Sequence, residues 1–201
     1  MSNLKNPFMV ALISYFIGNF CSAYILGKFF KKEDVRERGS KNAGATNALR
    51  VFGKKIGIFA FILDVLKGIL AVYIGNKLLG YNGMLIASIF VIVGHNYPVF
   101  LGFKGGKGMA ASIGVMFSLH WPTALVCTII GVLVIVKTRY VSLGSITAAA
   151  LVPIVGSIMN RPFDRAYFIT TLILAIMAIY RHRANIKRLI NNEEFKIGER
   201  V

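Results

Sequence analysis

The sequence predicts an all-α integral membrane protein of seven transmembrane helices, with the N-terminus outside and the C-terminus in the cytoplasm. Hydrophobic residues make up 56% of the 201, and the mean hydropathy is +0.64, which is more apolar than a soluble domain of this length. Apolar segments of bilayer length follow one another, and Lys and Arg are divided unequally among the segments that join them. No linker, repeat or low-complexity run divides the chain, so residues 1–201 are predicted to form one multi-pass domain.

The first span is an uncharged stretch, residues 7–27. Lys5 is the only charged side chain before it, and the stretch contains no small-x-small cleavage site. We therefore interpret it as a retained helix rather than a signal peptide. The fourth span is the weakest, because only Met109–Leu119 is cleanly apolar, and it could cross as a short helix or enter the bilayer and return. The spans after the first are predicted at 56–76, 83–101, 105–119, 121–136, 141–160 and 164–180.

The charge on the two faces decides the count and the orientation. With seven spans, one face carries 19 Lys and Arg and the other carries four. If the fourth segment does not cross, the split becomes 13 against 10. Because cytoplasmic loops are enriched in Lys and Arg, seven spans and a cytoplasmic C-terminus are favoured.

Composition also excludes several classes of protein. The net charge of +16 would indicate nucleic acid in a soluble protein, but basic cytoplasmic loops explain it here, and no nucleic-acid partner is predicted. Cys21 and Cys127 both lie in apolar stretches, so no disulfide framework is expected. The carboxylates are scattered and the three histidines are far apart, so we predict neither a metal nor a cofactor.

Two glycine-rich basic loops are the candidate chemistry. In Arg38–Arg50, small residues alternate with cations, and Thr46 or Asn47 could cap a helix that runs through Arg50. In Gly102–Gly108, two lysines lie within a run of glycines that does not fit a Walker A loop. Glycine, backbone N–H groups and cations together suit phosphate. The structural alternatives are a flexible basic loop and a tight interhelical turn with lysines that reach the interface.

Other polar residues leave alternatives open. His95 and His182 fall at cytoplasmic helix ends and are either packing residues or site residues, whereas His120 is predicted on the opposite face. Asp64 and Lys67 are three apart within a span, which predicts an ion pair or, alternatively, a functional site. No Asp stands five residues after any of the three histidines, which excludes the His-x4-Asp base of the carrier-dependent glycerolipid acyltransferases.

Four motifs in order resemble the bacterial membrane glycerol-3-phosphate acyltransferases that use acyl phosphate. They are Gly39–Arg50, Gly94–Gly108, Arg139–Leu143 and Tyr180–Leu189, and the resemblance covers nearly the whole chain. The chain differs at Lys41, where the family usually shows Gly.

The resemblance implies the seven-helix fold and a multi-pass enzyme of the bacterial inner membrane, with its active site facing the cytoplasm. It implies transfer of a fatty acyl group from acyl phosphate to the 1-hydroxyl of glycerol 3-phosphate, giving 1-acylglycerol 3-phosphate (lysophosphatidate) and phosphate, the first acylation of phospholipid synthesis. The partners are the two substrates and the lipid bilayer, and the oligomeric state is left open. A transporter for a phosphorylated metabolite and a lipid phosphatase are the competing hypotheses.

The motifs also give a set of predicted site residues. The predicted catalytic residues are Ser40, Arg50, Lys107, Ser142 and His182. The predicted substrate-binding residues are Gly44, Thr46, Asn47, His95, Lys104, Gly105, Gly106, Gly108, Arg139 and Asn185.

Overall fold

The structure, a computed structural model, describes residues 6–199 and contains no β-strand among them. Lys5 and Arg200, each counted above among the charges of one face, lie outside the described residues. The chain forms two compact units, whose described parts are residues 6–119 and 120–199. The α-helices are α1 (Pro7–Gly18), α2 (Ser22–Lys31), α3 (Ala45–Phe52), α4 (Lys54–Asn96), α5 (Met109–Thr138), α6 (Val141–Met159), α7 (Arg165–Arg181) and α8 (Arg183–Ile190).

The first predicted span consists of two helices. α1 ends at Gly18 and α2 begins at Ser22. In the break between them, the Asn19 side chain accepts a hydrogen bond of 2.7 Å from the Val99 N–H. The break therefore positions the segment that follows α4, where the second glycine-rich loop begins.

Helix α4 contains the second and third predicted spans. Its backbone leaves the helical region at Leu79 and Gly80, which separates two helical stretches. Gly75 and Gly83 meet across this turn, since a Cβ on either would collide with the backbone carbonyl of the other. The α-helix ends at Asn96, and the last residues of the predicted span 83–101 form a 3-10 turn, Val99–Leu101.

Helix α5 contains the fourth and fifth predicted spans. It is interrupted at His120, whose extended backbone has φ −156° and ψ 90°. The predicted start of the fourth span at 105 was wrong, because Gly105–Gly108 is not helical and the helix begins at Met109. Glycines lower helix propensity, and here Gly108 has φ +80°, which is outside the helical region.

Within each unit the helices meet at glycines. A Cβ at Gly18 of α1 would collide with a carbonyl of α4, and a Cβ at Gly94 of α4 would collide with a carbonyl of α1. Close backbone contact of this kind is how helices associate in lipid, where apolar burial gives little driving force. The same close approach occurs at Gly68 and Gly114 between α4 and the first part of α5, and at Gly131 and Gly144 between α5 and α6. At Gly156 of α6 the neighbour is a side chain, the Tyr167 ring of α7.

Large apolar side chains face outward. Phe59 is 63% exposed and Val136 is 72% exposed, as expected for residues that face lipid. Among residues 6–199, four helical segments are long and apolar enough to cross a membrane: Pro7–Lys31, Lys54–Leu101, Met109–Thr138 and Val141–Met159. The fold is therefore that of an all-helical integral membrane protein, while the count of seven spans and the orientation stay predictions.

Candidate active site

The first glycine-rich loop is organised by one side chain, Asn47, which is 1% exposed. Its amide nitrogen donates to the carbonyls of Val35 at 2.7 Å, Arg38 at 3.1 Å and Asn42 at 3.0 Å. Its amide oxygen accepts from the Ser40 N–H at 2.8 Å. Because these bonds engage both ends of the amide, Asn47 holds the loop that carries Ser40 in place.

The loop leads into α3, and the prediction of its cap was wrong. Gly44 is the N-cap residue, and Thr46 and Asn47 lie in the first helical turn. The reason is that Asn47 bonds backward to the loop backbone and not to the N–H groups of the helix start. Arg50 follows on α3 and is 8% exposed, so its cationic side chain is largely buried within the first unit.

The second glycine-rich loop lies directly on the end of α4. The Gly105 N–H donates to the Asn96 carbonyl at 3.3 Å, and the Gly106 N–H donates to the His95 carbonyl at 3.0 Å. A Cβ at Gly106 would collide with the His95 imidazole, and a Cβ at Gly105 would collide with the His95 carbonyl. Close packing against the end of α4 therefore requires glycine at positions 105 and 106. Lys107 follows them directly, so the same packing places its backbone near the end of α4.

The two loops contact each other within the first unit. Arg36 donates to the Leu101 carbonyl at 3.0 Å, and Asn42 donates to the Gly105 carbonyl at 3.5 Å. Arg36 is held in turn by Asp34, at 2.8 Å. The hydrogen bond from Arg36 holds the pKa of the Asp34 carboxyl below its usual range, and the same bond raises the pKa of Arg36. Sequence reasoning missed both residues, since they look like ordinary charges of a basic loop.

His95 joins the second loop to the predicted intramembrane ion pair, which is present. Lys67 Nζ lies 2.9 Å from Asp64 Oδ1 and 2.7 Å from His95 Nδ1. All three side chains are at most 5% exposed. His95 is thus a buried residue beneath the loop.

Asn96 was also missed by the sequence analysis. Its side chain is fully buried, and within the part of the chain that the structure describes neither its Nδ2 nor its Oδ1 has a hydrogen-bond partner. An unpaired polar group is costly to bury, so Asn96 is a candidate site residue beside the loop. Its one sequence signal is its position between His95 and the glycine loop.

In the second unit, the Glu194 carboxylate forms hydrogen bonds with two of the predicted site residues. Glu194 Oε1 accepts from Ser142 Oγ at 3.0 Å and from Asn185 Nδ2 at 2.7 Å, and Arg188 donates to Glu194 Oε2 at 2.8 Å. Glu194 was not predicted, although a pair of carboxylates, Glu193 and Glu194, within a basic tail was a signal that could have found it.

The two histidines of the second unit differ in their surroundings. His182 is 3% exposed at the junction of α7 and α8, and its Nδ1 bonds to the Ala178 carbonyl at 2.7 Å. Because a carbonyl can only accept, Nδ1 carries the proton. His120 Nδ1 lies 2.7 Å from Thr123 Oγ1, and Thr123 is not a predicted site residue.

The structure therefore groups the predicted residues by unit. Arg139 has φ +64° and donates to the Ile197 carbonyl at 3.2 Å, so it braces the C-terminal tail of the second unit. Among residues 6–199, no three His, Cys, Asp or Glu side chains come together as a metal site. The first unit carries Ser40, Gly44, Thr46, Asn47, Arg50, His95, Lys104, Gly105, Gly106, Lys107 and Gly108, and the second carries Arg139, Ser142, His182 and Asn185.

Comparison with known proteins gives consistent matches. The family model for glycerol-3-phosphate acyltransferase matches residues 8–192. A glycerol-3-phosphate acyltransferase of Thermoanaerobacter pseudethanolicus is 50% identical over 193 residues, and one of Clostridioides difficile is 42% identical over 198, each match covering 96% of both chains. Crystal structures of PlsY (YgiH), an integral membrane glycerol 3-phosphate acyltransferase, are similar over 96% of this chain. The glycerol 3-phosphate form has a TM-score of 0.89 at 34% identity over 96% of its own chain, and the lysophosphatidic acid form has 0.85 at 33% over 95%.

Proposed function

The chain belongs to the glycerol-3-phosphate acyltransferase family, and from this premise we propose that its acyl donor is acyl phosphate and its acceptor the 1-hydroxyl of glycerol 3-phosphate. The hydroxyl oxygen attacks the acyl carbonyl carbon, and the bond from that carbon to the phosphate oxygen breaks. Lysophosphatidate and inorganic phosphate leave, and a phosphate oxygen of the substrates takes the hydroxyl proton. Acyl phosphate is a mixed anhydride with a good leaving group, so no protein nucleophile is required.

One observation carries the proposal: the two glycine-rich loops, bearing Arg50 and Lys107, meet in the first unit. Asn42 of the first loop donates to the Gly105 carbonyl of the second at 3.5 Å, and Arg36, which precedes the first loop, donates to the Leu101 carbonyl, which precedes the second, at 3.0 Å. The two substrates are anions that repel each other, and cations with oriented N–H groups offset that repulsion. Holding two reactants close together and correctly oriented can lower the activation barrier by about 7–11 kcal/mol. We assign Arg50 and Lys107 to the substrate phosphates.

In the second unit, Ser142, Asn185 and His182 are proposed as further substrate contacts. Glu194 fixes the side chains of Ser142 and Asn185, which leaves them less freedom to lose when a substrate binds. His182 is proposed to orient the acceptor, because the Tyr180–Leu189 motif assigns it to the site and the Ala178 carbonyl, 2.7 Å from Nδ1, fixes the position of its ring.

The proposed topology has seven spans, with both loops and the C-terminus in the cytoplasm. The breaks at Leu79–Gly80 and His120 support the count, because they divide α4 and α5 into four helical stretches. Glu37 and Lys77 are exposed and fall on opposite faces in this topology. In a background without Cys21 and Cys127, a membrane-impermeant maleimide applied to intact cells should label Lys77→Cys and spare Glu37→Cys. The reverse pattern overturns the orientation.

The reaction is tested with purified protein, acyl phosphate and labelled glycerol 3-phosphate. We expect labelled lysophosphatidate with acyl phosphate and none with acyl-CoA at equal concentration. Comparable rates with the two donors contradict the donor assignment. A transporter would form no lysophosphatidate, and a phosphatase would release phosphate without the acceptor.

The same assay tests whether a metal ion is required. We expect the rate of lysophosphatidate formation to be unchanged in EDTA. A loss of activity in EDTA that added Mg²⁺ restores would contradict the metal-free mechanism.

A further inference from the structure

A buried polar cluster lies beneath the second loop, and the proposed reaction leaves it without a role. Lys67 Nζ is surrounded by the carbonyls of Phe20 at 2.6 Å and Gly18 at 3.2 Å, by Asp64 Oδ1 at 2.9 Å and by His95 Nδ1 at 2.7 Å. The Asp64 carboxylate also accepts from a hydroxyl, that of Ser22, at 2.8 Å. The cluster therefore ties the break between α1 and α2 to two parts of α4.

The geometry selects one tautomer of His95. A lysine ammonium has three protons and no lone pair, so it can only donate. Three of its four neighbours lie within 2.9 Å, and the Gly18 carbonyl is the most distant, at 3.2 Å. We therefore assign one ammonium proton to His95 Nδ1, which then accepts through its lone pair and has its ring proton on Nε2. A proton on Nδ1 would point directly at the Lys67 ammonium.

The other edge of the same ring supports the glycine loop. His95 Nε2 lies so close to Gly106 that a Cβ there would collide with it. The Gly106 N–H donates to the His95 backbone carbonyl at 3.0 Å, so ring and backbone of one residue both contact the loop. A rotated or differently protonated ring would present another surface to Gly106.

We propose that Asp64 and Lys67 are positioning residues, which hold His95 in its Nε2–H tautomer and thereby keep the Gly105–Gly108 loop in its phosphate-binding position. The proposal rests on the function proposed above. Charges inside a membrane-spanning helix are costly, and a buried ion pair rarely gives net stability. Stability alone therefore does not explain the Asp64–Lys67 pair, whereas its contact with His95 beneath the loop gives it a positioning role.

The test uses a variant that removes both charges together, Asp64→Asn with Lys67→Met, since loss of one partner would leave a buried charge and could unfold the protein. Nitrogen NMR of protein labelled with ¹⁵N-histidine reads the tautomer of each ring, and a His95→Gln sample assigns the His95 signals. In the wild type we expect Nε2–H at His95 and the opposite tautomer, Nδ1–H, at His182, which serves as an internal reference. In the double variant, His95 should lose its single tautomer while His182 keeps its own.

Kinetics then separates positioning from simple loss of folded enzyme. A displaced loop should raise KM for the phosphate substrates by roughly tenfold with a smaller change in kcat, whereas partial unfolding lowers kcat and leaves KM unchanged. Lys77→Met is the matched control, because Lys77 is exposed beside the Tyr73 ring, and it should alter neither the NMR signals nor KM. A folded double variant that keeps the Nε2–H tautomer, or one with a normal KM, overturns the proposal. Absence of turnover in the wild type overturns the proposed function instead, and the histidine spectra still decide the tautomer.

Discussion

The two regions that carry the predicted site residues are built by different means. In the first unit, glycines let loop backbone approach helix α4, and the neutral Asn47 amide holds the other loop. In the second unit, the charged Glu194 carboxylate holds Ser142 and Asn185. Charged pairs also support the first region, through Arg36–Asp34 and Asp64–Lys67, but only there does loop backbone pack directly on a helix end. The first region should therefore be the more sensitive of the two to added volume, and the second should depend on the charge of Glu194.

Gly106→Ala should have the largest effect. The added Cβ collides with the His95 ring, which Lys67 holds in place, so the loop must shift and carry Lys107 with it. We expect kcat/KM to fall by about 100-fold or more. Gly102→Ala is the control, because a Cβ there meets open space and adds only the strain of φ +61°. Equal losses in the two variants would break the volume argument.

Arg50→Ala and Lys107→Ala should follow. Each removes a cation assigned to a substrate phosphate, and a charge-assisted hydrogen bond is worth about 1.5–3 kcal/mol, which corresponds to a loss of about 10- to 150-fold in kcat/KM. Lys54→Ala is the control, since Lys54 is exposed at the start of α4. Activity near the wild-type level in Arg50→Ala and Lys107→Ala would mean that the phosphates bind elsewhere.

The histidines of the second unit give the next comparison. His182→Ala should lower kcat/KM by about tenfold or more if it orients the acceptor through one hydrogen bond. His120→Ala should be nearly silent, because His120 bonds to Thr123 at the predicted external face. Equal losses in the two variants would show that the site has been assigned to the wrong residues. Composition does not distinguish these two histidines, whereas the predicted topology puts His182 on the cytoplasmic face and His120 on the external face.

Glu194→Gln tests whether the second unit depends on the charge of the Glu194 carboxylate. The carboxylate accepts three hydrogen bonds, and an amide in its place turns an N–H₂ group toward Arg188 or toward Ser142 and Asn185. We expect a loss of about 1.5–3 kcal/mol in stability and about tenfold in activity. Glu193→Gln is the control, because Glu193 is exposed next to it in the chain. A neutral Glu194→Gln would remove the distinction between the two regions.

The smallest effect is expected at Lys41, where φ is +56°. A side chain in this left-handed region costs about 1–2 kcal/mol, and glycine removes most of that cost while adding entropy to the unfolded chain. Lys41→Gly should raise the melting temperature of the purified protein by about 2 °C. Lys41→Ala removes the charge but keeps the Cβ, so it should give no such gain. A similar rise in Lys41→Ala would assign the effect to charge.

The sequence predicted the features that depend on local pattern. The all-helical membrane class and the family are confirmed, and so is the ion pair between Asp64 and Lys67, because i, i+3 neighbours on one helix must meet. The residues that connect distant segments were missed. Arg36 reaches the carbonyl of Leu101, 65 positions later, and no local rule reveals such a contact.

The site predictions divide in the same way. The glycine-rich motifs located both loops, but no local pattern indicates that Asn47 bonds backward to three carbonyls instead of capping α3. Glu194 was missed because a carboxylate in a basic tail resembles a solvated charge until its partner Ser142, 52 positions earlier, is known.

The glycine contacts between helices have a consequence for how this chain tolerates mutation. In a water-soluble protein the large core residues are the least replaceable, because removing them leaves cavities. Here the large residues, such as Phe59 and Val136, face outward, whereas Gly18, Gly94 and Gly144 lie where helix backbones touch. In a saturation mutagenesis scan of the apolar helices, tolerance should therefore increase with the size of the native residue. Sequence drift over time should replace the bulky side chains and preserve the smallest ones.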